Sequence, residues 1–254
     1  MILCTGGISY PGTGSNGDGY KIAKQIGHNI IDLKPSLVPI EIKEIFCADL
    51  MGLSLKNIKL YVYENDKKIF EEMGEMLFTH FGVSGPLVLS ASSHIRDTDN
   101  KNYKITLDLK PGLSEEQLDK RILSDFEKYK NKMFKNSLYD ILPKKLIPVF
   151  ISRLEDYINP EKKINEITKT ERAKIAGLFK NFNLTFKKFR PPEEAIITCG
   201  GVDAKEILSN KMESKLVQGL YFAGEIIDVD AYTGGFNLQV AFSTGKLAGK
   251  NAAL

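Results

Sequence analysis

Two acidic residues and a pair of glycines near the C-terminus have the types and spacing to hold a ligand with hydroxyl and phosphate groups. Glu225 and Asp228 follow the apolar segment 220–223, and Gly234-Gly235 precede a stretch with helical spacing. Carboxylates accept hydrogen bonds from hydroxyl groups, and glycines let a ligand approach the backbone. A helix start presents unpaired N–H groups and a positive dipole end. The pattern predicts a polyol and phosphate site, although a plain strand, turn and helix with solvated acids explains it as well.

A second glycine-rich stretch lies near the N-terminus. Thr5-Gly6-Gly7 follows the apolar residues 2–4, and six glycines occur between positions 6 and 19. Because ligands of open α/β sheets bind where strands end, we interpret this stretch as backbone lying flat against a ligand, the alternative being a mobile loop. Gly12, Gly14 and Gly17 fit the pattern G-x-G-x-x-G, but they follow a proline-containing loop and not a strand. We interpret that match as coincidence.

The elements that position these residues are predicted at both ends of the chain. Residues 2–4 and 220–223 are expected to be strands, and Asp18 is expected to cap a helix that Gly27 ends. Residues 194–199 are expected to form another strand, which ends at a glycine pair. These elements predict one module of the α/β class.

The middle of the chain has a different character. Residues 37–112 read as mainly β, with a hairpin turn at 64–67, whereas residues 113–190 have helical spacing that begins at Ser114-Glu115-Glu116-Gln117. We therefore predict an α/β domain formed by residues 1–36 and 191–254. It would be interrupted by an inserted domain, 37–190, that is first β and then helical.

Composition limits the class of protein and the kinds of site. The chain has 254 residues, 43% of them apolar and 26% charged, as in an ordinary soluble globular protein. No apolar run approaches the ~18 residues of a membrane-spanning helix. Three cysteines without C-x-x-C spacing and three scattered histidines predict reduced thiols, a cytoplasmic location and no metal site.

Positive charge is concentrated in one part of the sequence. Residues 101–190 contain 21 Lys and Arg against 12 Asp and Glu, an excess of nine, whereas the whole chain has a net charge of +3. The cations alternate with acids at helical spacing, which favours a solvated helical surface. The alternative is a surface that binds nucleic acid or an acidic protein.

Seven stretches together resemble one known family. In chain order they are CTGGISYP (4–11), TGSNGDGY (13–20), FTHFGVSGP (78–86), TCGGV (198–202), MESK (212–215), GLYFAGE (219–225) and GGFNLQ (234–239). In this order and spacing they resemble the BaiN-like (YhiN-like) family of NAD(P)/FAD-dependent oxidoreductases. The resemblance extends over essentially the whole chain.

The resemblance implies a fold, a reaction and a set of cofactor contacts. The fold would be an FAD-binding Rossmann-like domain of the glutathione-reductase type with an inserted domain, and hydride would pass from NAD(P)H through FAD to a small unsaturated or ketone-bearing substrate. Glu225 would meet the ribityl chain, the start of the last helix would face the pyrophosphate and the flavin pyrimidine edge, and Thr5-Gly6-Gly7 would lie near the adenosine end. The implied cofactor-binding residues are Thr5, Gly6, Gly7, Gly224, Glu225, Asp228, Gly234, Gly235, Phe236, Asn237, Leu238 and Gln239.

No catalytic residue is assigned from the sequence. Tyr10 and His80 are candidate proton donors, with a structural role preferred for each. Members of the family begin with a strand and a G-x-G-x-x-G turn that hold the pyrophosphate, and this half has no counterpart here. We therefore expect a truncated or excised portion of a flavoprotein, or a chain whose missing half is a separate polypeptide. Whether this chain alone binds FAD or is active is left open, and the alternative function is a non-enzymatic module that binds through its basic helical part.

Overall fold

The computed structural model describes residues 1–253, which form two compact units. The terminal unit contains Met1–Glu41, Val88–Arg96 and the residues from Lys188 onward, and the barrel unit contains Ile42–Leu87 and Asp97–Lys187. The domain division at residues 36 and 191 stays a prediction. It differs from the compact units most at Val88–Arg96, which belongs to the terminal unit.

The described residues contain six α-helices and twelve β-strands. The helices are α1 Asp18–Gln25, α2 Pro86–Ser92, α3 Glu115–Lys128, α4 Ile147–Ser152, α5 Lys169–Lys180 and α6 Phe236–Ala252. The strands are β1 Ile2–Leu3, β2 Ile30–Ser36, β3 Ile40–Ile42, β4 Ser54–Glu64, β5 Lys67–Thr79, β6 Gly82–Ser84, β7 Tyr103–Asp108, β8 Phe182–Phe189, β9 Ile197–Val202, β10 Ile207–Leu208, β11 Glu213–Ser214 and β12 Tyr221–Phe222. The fold is therefore mixed α/β.

A four-stranded sheet forms the centre of the terminal unit, with strand order β1-β12-β11-β10. β1 runs parallel to β12, so that Ile2 lies opposite Tyr221 and Leu3 opposite Phe222. Phe222 is fully buried, in a cluster that also contains residues of α1 and α6. Burial of such a side chain stabilises the fold by about 1.5–3 kcal/mol. The predicted strands at 2–4 and 220–223 are confirmed.

A second, two-stranded sheet joins β2 to β9 in antiparallel fashion. The predicted strand is present as β9, but its predicted bounds of 194–199 are wrong, because β9 begins at Ile197 and continues through Gly200 and Gly201 to Val202. Both glycines have positive φ, 92° and 137°. A Cβ on Gly200 would lie 2.2 Å from the carbonyl oxygen of Asp32, so only glycine lets the two strands approach this closely.

The barrel unit is organised around a closed barrel of six strands in the order β3-β6-β5-β4-β7-β8. The predicted hairpin turn is confirmed between β4 and β5, where Asn65 and Asp66 have φ of 46° and 68°. Two successive positive φ values match the right-handed twist of the paired strands. The helical interpretation of residues 113–190 is wrong at its end, because Phe182, Leu184 and Phe186 alternate into the barrel as β8.

Helix starts follow local sequence in most cases. α3 begins with the predicted capping box, in which Ser114 and Gln117 each accept the other's backbone N–H. α1 differs from its prediction, because Gly17 in the left-handed region is the N-cap and Asp18 is the first helical residue. Asp18 instead accepts hydrogen bonds from Asn16 and Lys21, which lower its pKa.

One face of α6 is largely open. Ala248 is the buried residue of this helix, whereas Phe236, Leu238 and Phe242 are 60%, 62% and 69% exposed. Exposed apolar side chains grouped on one element mark surfaces that bind another molecule or segment. Across residues 1–253, no helix combines the length and the apolar character needed to span a lipid bilayer.

We expect Gly249→Ala to stabilise this chain, raising the free energy of unfolding by about 1 kcal/mol, because glycine inside a helix is less favourable than alanine. A Cβ on Gly249 would meet no atom within 4 Å. The matched control is Gly19→Ala in α1, whose Cβ would lie 2.0 Å from Thr5 Oγ1 and should lower stability. Urea denaturation of both variants measures the effect. A loss of stability in Gly249→Ala would contradict an open helix surface.

Candidate functional site

The terminal unit contains a largely apolar cavity of about 470 Å³, within the range of small-molecule sites. Its walls come from the end of β2, the start of β9, the segment after β12 and the first two turns of α6. The lining residues are Leu37, Ile196, Ile197, Glu225, Val229, Tyr232, Thr233, Gly234, Gly235, Asn237, Leu238, Val240 and Ala241. Five of the residues predicted to bind a cofactor are among them: Glu225, Gly234, Gly235, Asn237 and Leu238.

The helix start at this cavity is free of side-chain caps. Gly235 is the N-cap of α6, with φ 92° in the left-handed region, and no side chain accepts a hydrogen bond there. The first turn also contains no acidic residue. Its N–H groups and the positive end of the helix dipole are therefore available to an electron-rich or anionic group.

Asn237 fixes the loop that precedes α6. Its Oδ1 accepts the N–H of Ala231 at 2.9 Å, and its Nδ2 donates to the carbonyl oxygens of Ala231 at 2.8 Å and Tyr232 at 3.4 Å. The amide of Asn237 thus has protein partners on both of its polar atoms. It positions the loop at the cavity wall.

Glu225 connects the cavity with the glycine-rich N-terminal loop. Its Oε1 accepts the backbone N–H of Thr198 at 2.6 Å. The Thr198 hydroxyl in turn accepts the N–H groups of Ile8 at 2.8 Å and Ser9 at 3.2 Å. A Cβ on Gly7 would lie 2.3 Å from Thr198 Oγ1 and 2.7 Å from Glu225 Oε1. Glycine at position 7 is therefore needed for this close approach.

Seven of the predicted residues do not line the cavity. Thr5, Gly6 and Gly7 lie in the N-terminal loop, with Gly7 next to Glu225. The N–H of Gly224 donates to Thr244 Oγ1 at 3.0 Å, and the Gln239 amide donates to Ser243 at 2.9 Å.

The other two predicted residues outside the apolar cavity are Phe236 and Asp228. Phe236 is 60% exposed, and Asp228 lines a different, polar cavity together with Arg96 and Cys199. Burial and the nearby carboxylates of Asp230 and Asp203 raise the pKa of Asp228. A cofactor contact for these seven residues stays a prediction.

A polar recess of about 240 Å³ also lies in the terminal unit. It is lined by Ser93, His94, Arg96, Asp230, Ala231 and Tyr232. Arg96 Nη2 lies 3.4 Å from Asp230 Oδ1, and Ser36 Oγ donates to Asp230 Oδ2 at 2.9 Å. Tyr232 is the one residue that lines both the recess and the apolar cavity.

Eight cavity residues lie outside the predicted set: Leu37, Ile196, Ile197, Val229, Tyr232, Thr233, Val240 and Ala241. Leu37 is fully buried with φ 52°, a left-handed conformation that is unfavourable for a branched side chain. No local sequence pattern identifies it. The candidate proton donors Tyr10 and His80 do not line the cavity, and Tyr10 is 51% exposed in its loop.

Comparison with known proteins places the chain in a class of flavoprotein oxidoreductases. Residues 34–197 match the domain described as the HI0933-like protein barrel and H2TH domain. The chain belongs to the HI0933-like family, which is the BaiN-like and YhiN-like flavoprotein family that the sequence motifs resemble. That resemblance is confirmed.

Three curated relatives are similar to this protein over nearly all of its chain. Ribosomal RNA dihydrouridine synthase of Haemophilus influenzae is 35% identical over 246 residues, 96% of this chain and 58% of that protein. The 3-dehydro-bile acid delta(4,6)-reductase of Clostridium scindens is 31% identical over 255 residues, 100% of this chain and 62% of that protein. Ribosomal RNA dihydrouridine synthase of Escherichia coli is 30% identical over 247 residues, which are 96% of this chain and 58% of that protein. The chain thus spans about three fifths of the length of these relatives.

Proposed function

We propose that this chain forms the flavin-facing part of an FAD-dependent oxidoreductase. The observation that carries the proposal is the uncapped, acid-free start of α6 at the wall of an apolar cavity. A flavin presents a planar apolar ring whose pyrimidine edge becomes electron-rich on reduction, and a helix N-terminus stabilises charge at that edge. The size and lining of the cavity fit such a ring.

Different residues would contact different parts of FAD. Leu37, Ile196 and Ile197 offer apolar surface to the ring, and Gly234-Gly235 let the backbone N–H groups of α6 approach its edge. Glu225 lies at the end of β12, where a carboxylate can accept hydrogen bonds from ribityl hydroxyls. Gly7 lies next to Glu225, and Thr5, Gly6 and Gly7 would follow the cofactor toward its adenosine end.

The part of FAD that these residues do not hold requires another segment. We propose that the portion of the relatives without a counterpart in this chain supplies a G-x-G-x-x-G turn for the pyrophosphate. It would pack on the exposed apolar side chains of α6, whether it is joined to this chain or made as a separate polypeptide.

The reaction we propose is hydride transfer from NAD(P)H through FAD to a carbon–carbon double bond. A dihydrouridine synthase reduces a double bond of a pyrimidine ring that is conjugated to a carbonyl group, and the bile acid reductase is named for the reduction of ring double bonds. The shared chemistry is hydride addition to an unsaturated carbonyl compound. This makes an unsaturated substrate a better candidate for the present chain than an isolated ketone.

Two measurements test the flavin proposal. The chain is incubated with FAD, alone and together with the portion of a relative that has no counterpart in this sequence, and each preparation is passed through a gel-filtration column. A retained visible flavin band, bleached by NADH or NADPH without oxygen, is the expected result. Absence of a retained band from both preparations would contradict it, whereas a band that only the combined preparation retains would locate the pyrophosphate contacts outside this chain.

RNA is a second candidate partner, favoured by two of the relatives' names and by the positive charge of residues 101–190. Many of these cations are already paired, as Arg172 is with Asp119 and Lys180 with Asp108. Lys144 and Lys145, by contrast, form no ion pair with a carboxylate of the described residues, and they line a cavity of about 740 Å³ in the barrel unit. They are the best candidates for phosphate contacts.

Salt dependence tests RNA binding directly. Each phosphate contact contributes about one unit to the slope of log affinity against log salt concentration. The double variant Lys144→Ala, Lys145→Ala should lose about two units of slope. The control Lys120→Ala removes a surface cation that is paired with Glu116. If RNA affinity does not depend on salt concentration, or is equal in the double variant and the wild type, the surface around Lys144 and Lys145 is excluded as an RNA-binding site.

A further inference from the structure

Tyr232 stands where the apolar cavity meets the polar recess, since it alone lines both. We propose that Tyr232, paired with His94, is the acid that delivers a proton to the substrate when the double bond is reduced. The proposal rests on the proposed function, because a proton donor is required only if the site reduces a double bond. Nothing in the residue pattern around Tyr232 indicates this role.

The pair is fixed on two separate elements of the terminal unit. The Tyr232 hydroxyl and His94 Nε2 are hydrogen-bonded, and their rings lie 5.7 Å apart between centroids at an angle of 45°. The backbone of Tyr232 is held by Asn237, as described above. His94 follows α2, where its N–H donates to the carbonyl oxygen of Ala91 at 3.1 Å. Both side chains are thus presented to the recess by anchored backbone, as a positioned acid requires.

The other polar groups at the junction are less suited to the task. Glu225 accepts the Thr198 N–H, Asn237 is engaged with the loop, and an aliphatic hydroxyl such as that of Thr233 is a far weaker acid than a phenol. Arg96 is paired with Asp230, and arginine side chains do not act as proton donors in proteins. The guanidinium can instead attract the substrate carbonyl oxygen, on which negative charge develops.

The proton balance of the step is simple. FAD, when bound and reduced, would supply a hydride that forms a C–H bond at one carbon of the substrate double bond, and the π electron pair of the double bond would move toward the neighbouring carbon and the conjugated oxygen. The O–H bond of Tyr232 then breaks as a C–H bond forms at the neighbouring carbon. When His94 Nε2 carries a proton, it donates to the phenolic oxygen, orients the Tyr232 proton toward the recess and afterwards replaces it; water returns a proton to His94.

The test separates the two halves of the catalytic cycle. FAD-loaded wild-type protein, Tyr232→Phe and His94→Gln are reduced with NAD(P)H in the absence of oxygen and then mixed with a short uridine-containing RNA or with an unsaturated 3-keto steroid. General acid catalysis contributes typically about 10²–10⁴-fold, so reoxidation by the substrate should slow by about 100-fold in Tyr232→Phe. His94→Gln should slow the same step, and the rate of flavin reduction by NAD(P)H should not change.

Two further readouts exclude a merely structural effect. The solvent deuterium isotope effect on reoxidation should be present in the wild-type protein and altered in Tyr232→Phe, because a different donor then supplies the proton. Tyr157→Phe removes a hydroxyl from a tyrosine that is 57% exposed in the barrel unit and should behave as wild type. FAD content and melting temperature are measured for every variant.

The outcomes distinguish the two proposals. If Tyr232→Phe is reoxidised at the wild-type rate, the acid role is wrong and the flavin function stands. If neither probe reoxidises the reduced wild-type protein, the reductase function itself fails and the acid role fails with it. If Tyr232→Phe loses FAD or unfolds, His94→Gln decides the test. An unchanged reoxidation rate in His94→Gln would then overturn the proposal.

Discussion

Glu225→Gln should weaken the proposed binding of FAD by about 1.5–3 kcal/mol, roughly 10- to 150-fold, because a hydrogen bond to a charged acceptor is lost from the ligand. The stability of the protein should change little. The glutamine oxygen can still accept the Thr198 N–H that Glu225 Oε1 accepts at 2.6 Å. Fluorescence titration with FAD measures the affinity, and urea denaturation measures the stability.

Glu213→Gln is the matched control for this prediction. Glu213 lies on β11, next to β12, and its Oε1 accepts the N–H of Gly219 at 2.9 Å, but it does not line the cavity. It therefore shares the backbone contact of Glu225 without the proposed ligand contact. Equal FAD affinity in wild type and Glu225→Gln would exclude the carboxylate from the site. Glu225→Ala should also lower stability by about 1–3 kcal/mol, because Thr198 loses its acceptor.

Gly7→Ala should lower both stability and FAD affinity. The added methyl group would lie 2.3 Å from Thr198 Oγ1 and 2.7 Å from Glu225 Oε1, so the N-terminal loop must move away from β9. Overpacking of this kind typically costs about 1–3 kcal/mol. Displacement of Thr198 also breaks its hydrogen bonds to Ile8 and Ser9.

Gly12→Ala, in the same loop, controls for a general effect of alanine. A Cβ there would meet no atom within 4 Å, and Gly12 does not have a positive φ. Thermal denaturation and FAD titration of the two variants compare them directly. If Gly7→Ala and Gly12→Ala have the same melting temperature and the same FAD affinity, the loop does not need glycine at position 7.

The sequence predicted those features whose causes are local. The capping box at Ser114, the hairpin at residues 64–67 and the glycine pair before α6 each depend on a few adjacent residues, and each occurs as expected. β8 was missed because it follows α5 almost directly, and its apolar alternation acquires meaning only when the barrel closes. β2 was not predicted, because Pro35 and the polar or charged residues Asp32, Lys34 and Ser36 are not typical of a strand. It forms a strand because it pairs with β9.

The candidate site was predictable only where it coincides with motifs. Glu225, Gly234 and Gly235 stand in stretches that resemble the family, and they line the cavity. Tyr232 and Leu37 come to the same cavity through packing between segments far apart in sequence, for which no local pattern exists. Asn237 was predicted as a ligand contact, but its side chain is engaged by the loop.

The pairing of β1 with β12 has a consequence for the order of events during protein synthesis. Ile2 leaves the ribosome well before its partner Tyr221, so the central sheet of the terminal unit closes only after every strand of the barrel has emerged. The strands of the barrel lie between them and are complete by Phe189. Because domains tend to fold as units while translation proceeds, the barrel should form first and the glycine-rich N-terminal loop should wait, exposed to proteases and chaperones, for its last partners.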